Sequence, residues 1–156
     1  MATRSAIAIK HGRNTIKSVY CHWDGYPEHN GRILQEYWYT PIIINQLIEM
    51  GDISSLGATI GKKVEFDATP EYIQNDFEMA ISYQCVFYNR DRGEDVSFRT
   101  FKTEAEFVHH YVNAGAEYFY LFDNGVWYVR DYRGDEWKEV ESVSYTHLTL
   151  PTILRV

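Results

Sequence analysis

Tyr118-Phe119-Tyr120-Leu121-Phe122-Asp123-Asn124-Gly125-Val126-Trp127-Tyr128-Val129-Arg130-Asp131-Tyr132 is the stretch that decides the fold. Two runs of aromatic and β-branched residues flank Asn124-Gly125, the dipeptide that best tolerates two successive positive φ angles. The spacing predicts a hairpin of 118–122 with 126–132. Arg133-Gly134-Asp135 then turns the chain into 136–140, giving a three-stranded meander.

Working outward, Thr103 and Glu106 form a capping box that opens a helix, and Gly115 closes it. Its apolar stripe is Phe107, Val108, Tyr111 and Val112. Before it, 79–89 alternates as a strand, 90–95 is a charged connection and 96–101 is the partner strand, a central hairpin. Thr69-Pro70 opens a short helical turn to Phe77, and 52–63 reads as loop. Thr40 as cap, Pro41 at the first helical position and Gly51 at the end define a helix whose inner face carries Ile44, Leu47 and Ile48. A shorter helix over 31–38 takes Asn30 as its cap. At the N-terminus, 5–11 and 15–23 form another hairpin around Gly12-Arg13-Asn14. The sum is one α+β domain over 1–142, a mostly antiparallel sheet with two or three helices on one face.

Composition narrows the function classes. In 156 residues, 45% are hydrophobic and 24% charged, enough for a core without metal or disulfide staples. Aromatic residues reach 16%, which suits a recognition surface as well as a sheet. A net charge of −7 argues against non-specific nucleic-acid binding over the whole surface. No apolar run is long enough to span a bilayer and no signal peptide is visible, so a cytoplasmic location is expected. The two cysteines, Cys21 and Cys85, sit in strand-like runs and read as buried free thiols, with a disulfide between them as the other reading.

The densest polar stretch is Cys21-His22-Trp23-Asp24-Gly25-Tyr26-Pro27-Glu28-His29-Asn30-Gly31. Cys21, His22, Asp24 and His29 are metal-ligand types, but their spacing fits no zinc motif, so no metal is expected. A thiol nucleophile at Cys21 with His22 or His29 as base lacks any sign of activation. As a structural element the stretch is a strand end and a capped helix. As a binding loop, Trp23 and Tyr26 offer stacking faces while His22, Asp24 and Asn30 offer hydrogen bonds. Arg90 and Arg92 either decorate a solvated connection or clamp a phosphate or carboxylate. His109-His110 on a helix cannot face one site together. No phosphate-binding, dinucleotide, serine-hydrolase or zinc-protease motif occurs, and no cofactor is expected.

Val19-Tyr20-Cys21-His22-Trp23-Asp24-Gly25-Tyr26, Asn30-Gly31-Arg32-Ile33-Leu34, Gly51-Asp52-Ile53-Ser54-Ser55-Leu56-Gly57 and Arg90-Asp91-Arg92-Gly93-Glu94-Asp95, with Thr3-Arg4-Ser5 ahead of them, resemble a family of small tailed-bacteriophage proteins. Gly12-Arg13-Asn14 replaces the Asp-Gly type of turn seen there. The resemblance carries over no catalytic residue; it implies a setting, action on host defence or host takeover. The expectation is a non-catalytic counter-defence protein in the cytoplasm of an infected cell. It either sequesters a nucleotide-like signal, as a homo-oligomer with sites between subunits, or blocks a host defence protein. The alternative is an enzyme, with or without metal, acting on nucleotides or nucleic acid through His22, Asp24 and His29. The stretch 143–152 resembles one reading frame of a sequencing-library adapter, so 143–156 is expected to be a non-native tail. Setting aside Arg155 leaves 14 basic residues against 22 acidic, a net of −8.

Overall fold

The first hairpin becomes the centre of the sheet. In the computed structural model, which describes residues 2–63 and 84–140, β1 (Ser5–His11) pairs antiparallel with β2 (Thr15–Cys21), from Ser5 opposite Cys21 to His11 opposite Thr15. That register leaves three residues in the turn, and Gly12 at φ +65° takes its left-handed position. On its other side β1 runs parallel to β6 (Tyr118–Asp123), with Ser5 opposite Tyr118 and Ile9 opposite Phe122. β6 pairs with β7 (Val126–Asp131) through Asn124 at φ +52° and Gly125 at φ +87°, the turn the Asn-Gly dipeptide predicts. β8, shorter than predicted at Lys138–Glu139, completes the meander.

The other wing is built from short pieces. β3 (Ile53–Ser55) runs parallel to β2 at Cys21–Ile53, and β4 (Val86–Phe87) runs antiparallel to β3. β5 (Arg99–Phe101) also pairs with β2, from Ile16 to Ser18. β3 and β5 therefore join the same strand at different residues, and the Tyr20 N–H between them donates to the Asp52 carboxylate at 2.9 Å. A side chain thus closes the gap that two short strands leave in the ladder. Among the described residues the sheet is mixed, mostly antiparallel, with eight strands in the order β4-β3-β2-β1-β6-β7-β8 and β5 beside β2.

Two expectations change here. Among the described residues the central hairpin is not seen: 86–87 and 99–101 pair with different strands. Between them α3 (Tyr88–Arg92) winds one helical turn that Gly93 ends at φ +70°. The cause is Asp91: its buried carboxylate accepts the Phe87 N–H at 2.7 Å and pairs with the Arg90 guanidinium at 2.9 Å, which folds the charged connection back on itself. The helices also do not share one face. α1 (Arg32–Tyr37) and α2 (Pro41–Glu49) cover one side, with Leu34, Trp38, Ile44, Leu47 and Ile48 packed on Ile7, Ile9, Val19 and Tyr120. α4 (Glu104–Asn113) covers the other, with Phe107, Val108 and Tyr111 on Ala6, Ala8, Ile16 and Phe119. β1 alternates alanine and isoleucine for that reason: the large rings of α4 fill the volume that small strand residues leave.

Two of the three predicted helix caps hold. Thr40 and Thr103 side chains accept the N–H of Ile43 and Glu106, while Glu106 reaches back to Lys102 N rather than to the cap itself. Asn30 does not cap; a π-helical turn, Pro27–Gly31, leads directly into α1. The loop read at 52–63 contains β3. The helical turn predicted at 69–77, residues 79–83 of the predicted strand and the tail at 143–156 lie outside the described residues. Among the described residues, no helix is long and apolar enough to cross a membrane.

Candidate functional site

The loop after β2 is held by backbone. The His22 and Trp23 N–H groups donate to Ile53 O and Ser54 O, both at 3.0 Å, extending the contact with β3. Asp24 then adopts φ +57°, and the Gly25 N–H donates to Thr3 O at 2.8 Å. A Cβ on Gly25 would lie 2.7 Å from Ser5 Cβ, so only glycine lets the loop approach β1 this closely. The Tyr120 hydroxyl, buried, donates to Gly25 O at 2.6 Å.

Asn30 completes this anchor from inside. It is fully buried, and its amide Nδ2 lies 3.3 Å from Ser5 Oγ, 3.4 Å from Cys21 Sγ and 3.5 Å from Trp23 O. Its Oδ1 pairs with His29 Nδ1 at 2.9 Å. Asn30, placed in the sequence-read binding set, therefore holds the loop and offers nothing to a ligand. Arg90 has a similar fate. It donates to the carbonyls of Ile60, Gly61 and Cys85 as well as to Asp91, and its guanidinium lies 4.9 Å from the Phe87 ring centre. Its donors are spent on the protein.

The remaining predicted residues are at the surface. Trp23 is 41% exposed, with its ring edge-to-face with His22 at 4.7 Å. Tyr26 is 37% exposed and donates to the Asp24 carboxylate at 3.3 Å. His22 is half-buried, and Nδ1 meets the Tyr20 hydroxyl at 2.8 Å. Burial, then the charges of Arg4 and Arg92, hold its pKa below the usual imidazole value. His22 is therefore neutral at physiological pH and can donate one hydrogen bond. Arg92 is exposed, with its guanidinium 5.5 Å from the Tyr88 ring centre.

The structure thus sets Trp23 and Tyr20 against His22 and Arg92 over Tyr88; Arg4, Tyr20 and Tyr88 were not among the residues the sequence reading offered. Strand parity could have found Tyr20, which is two residues from His22 and so on the same face. Tyr88 and Arg4 reach the site only through the β2-β3-β4 pairing and the entry into β1. The Tyr88 N–H donates to Asp52 O at 3.2 Å, placing α3 beside the end of β2.

His22, Asp24 and His29 each bond a different neighbour: Tyr20, Tyr26 and Asn30. Among the described residues, no group of three or more His, Cys, Asp or Glu side chains is placed to hold a metal ion. Both cysteines are free and buried, and burial pushes each thiol up to about 12. A thiol held in that form is a poor nucleophile. Native protein in mildly alkaline buffer is expected to resist an aromatic disulfide reagent, whereas denatured protein releases two thiol equivalents per chain. Prompt labelling of one native thiol would show that Cys21 or Cys85 is accessible and activated.

Fold and site together define an α+β protein with a two-sided mixed sheet and an aromatic, partly cationic surface at one strand end. Comparison with protein-family models, curated proteins and solved structures returns no match.

Proposed function

We propose that this chain is a non-catalytic binding protein, a phage counter-defence factor acting in the host cytoplasm by stoichiometric capture. The observation that carries this reading is the state of the polar loop. His22, Asp24 and His29 are each committed to a separate neighbour, both thiols are buried, and Trp23, Tyr26 and Arg92 are exposed. Proton or group transfer needs side chains that converge on one reacting atom. Recognition needs rigid aromatic surface at low entropy cost, which Trp23 and Tyr26 supply. The captured species is a nucleotide-like signal, in keeping with those rings and Arg92. The capture of a host defence protein, for which the −7 charge would complement a basic surface, is the second reading. A homo-oligomer remains part of the first.

The test is a mass balance. The full chain is incubated with a molar excess of the small-molecule nucleotide pool of a bacterial host, recovered, denatured, and its ligand identified by mass. Saturation at a fixed ratio per chain, with the ligand released unchanged, is expected. A ligand altered in mass, or turnover beyond one equivalent, would instead establish the enzyme reading.

A further inference from the structure

β5 carries an open edge beside a groove. Among the described residues it pairs with β2 alone, and its Arg99 and Thr100 are exposed. Phe101 stands opposite Ile16, which packs under α4, so Phe101 and Arg99, two residues away, face the α4 side of the sheet. The Phe101 and His110 ring centres are 5.3 Å apart. With Phe101, the residues Glu106, His109, His110, Asn113 and Ala114 line a groove of about 540 Å³. Their spacing of i, i+3, i+4, i+7 and i+8 is one flank of α4, next to the face that buries Phe107, Val108 and Tyr111 on the sheet. His109 and His110 therefore share one groove, against the expectation from their adjacent positions.

The charges along this edge are unevenly committed. Among the described residues Arg99 and Lys102 make no ion pair. Of the carboxylates around them, Glu104 pairs with Lys10 at 3.1 Å, Glu106 accepts the Lys102 N–H at 3.1 Å and Asp52 accepts the Tyr20 N–H at 2.9 Å. A cationic edge rejects a cationic or wholly apolar strand and favours one that brings a carboxylate.

We infer that β5 and the flank of α4 form a docking edge for an extended peptide segment of a partner protein, one with a carboxylate and an apolar side chain two residues apart. The segment's backbone pairs with the open edge of β5, its carboxylate meets Arg99, and its apolar side chain enters the groove between Phe101 and His110. The spacing of two follows from strand alternation: Arg99 and Phe101 lie on one face, and so do the residues opposite them. Main-chain hydrogen bonds supply affinity in such strand addition, and the alternate side chains supply selectivity. The docking edge uses no residue of the loop after β2 and stands apart from the capture reading.

The probe is a fluorescein-labelled peptide, Thr-Thr-Glu-Thr-Leu-Thr-Thr, titrated with the full chain and followed by fluorescence anisotropy. Saturable binding of one peptide per chain is expected. Lysine in place of the peptide's glutamate is expected to weaken binding roughly tenfold or more, the scale of one charged contact reversed. Two further peptides carry N-methyl groups on alternate amides, one version for each set. Only one set faces β5, so one version is expected to lose binding and the other to keep it. Arg99→Glu is expected to invert the preference, taking the lysine peptide and rejecting the glutamate one. Arg99 is exposed, and a gain of binding is a readout that a misfolded chain would not give. The docking edge would be overturned by any of three results: no saturable binding, two N-methyl versions that behave alike, or an Arg99→Glu chain that does not favour the lysine peptide.

Discussion

Arg90→Ala is expected to lower the unfolding free energy by about 3–5 kcal/mol, the cost of leaving a buried charge without its partner. The Asp91 side chain is 1% exposed and that of Arg90 17%, so truncation leaves a buried carboxylate without the guanidinium that pairs with it. The same substitution strips donors from the carbonyls of Ile60, Gly61 and Cys85, which join the segment after β3 to the start of β4. Urea denaturation followed by circular dichroism measures the loss. Arg90→Met combined with Asp91→Asn is expected to recover part of it: the asparagine carbonyl still accepts the Phe87 N–H and no charge is stranded. If Arg90→Ala instead left stability within about 1 kcal/mol of the parent and abolished ligand binding, Arg90 would be the phosphate clamp that the sequence suggested.

The second large effect is at Gly25. A methyl group there would sit 2.7 Å from Ser5 Cβ and 2.9 Å from both Ser5 Oγ and Thr3 O. Ser5 is buried in the central strand and Thr3 O already accepts the Gly25 N–H, so neither neighbour moves freely. Gly25→Ala is expected to cost about 2–4 kcal/mol, combining overpacking with the loss of a short backbone bond and of the Tyr120 contact. It should also weaken ligand binding, since Trp23 and Tyr26 flank the displaced residue. Thermal unfolding with parallel tryptophan quenching separates the two effects. A variant as stable as the parent would mean that the loop is not clamped to β1.

These predictions divide along the line between local and long-range information. What nearby residues decide was legible. The Asn-Gly hairpin, the Thr40 and Thr103 caps, and the glycine ends at Gly51 and Gly115 all depend on a few consecutive side chains and dihedrals. Partner choice between distant strands was not legible. That 86–87 joins β3 while 99–101 joins β2 follows from a buried Asp91 carboxylate that turns the chain at α3. A run of mixed charges does not reveal which carboxylate will be buried.

The candidate site shows the same division. The sequence by itself marked the polar-aromatic loop and offered His22, Trp23, Asp24, Tyr26, Asn30, Arg90 and Arg92 as one candidate set. It could not show that Asn30 is buried and that Arg90 donates to three backbone carbonyls. Burial decides that, and burial is set by residues far away in sequence: Ser5 for Asn30, Ile60 and Gly61 for Arg90. The α+β class follows from two local periods in the sequence. Only the tertiary structure placed β1 between β2 and β6, buried it on both faces, and so put helices on both sides of the sheet. A strand paired on both edges and packed on both faces has no exposed side to give it a polar period. The alternation of Ala6 and Ala8 with Ile7 and Ile9 records instead the size of the helix residues lying against each face.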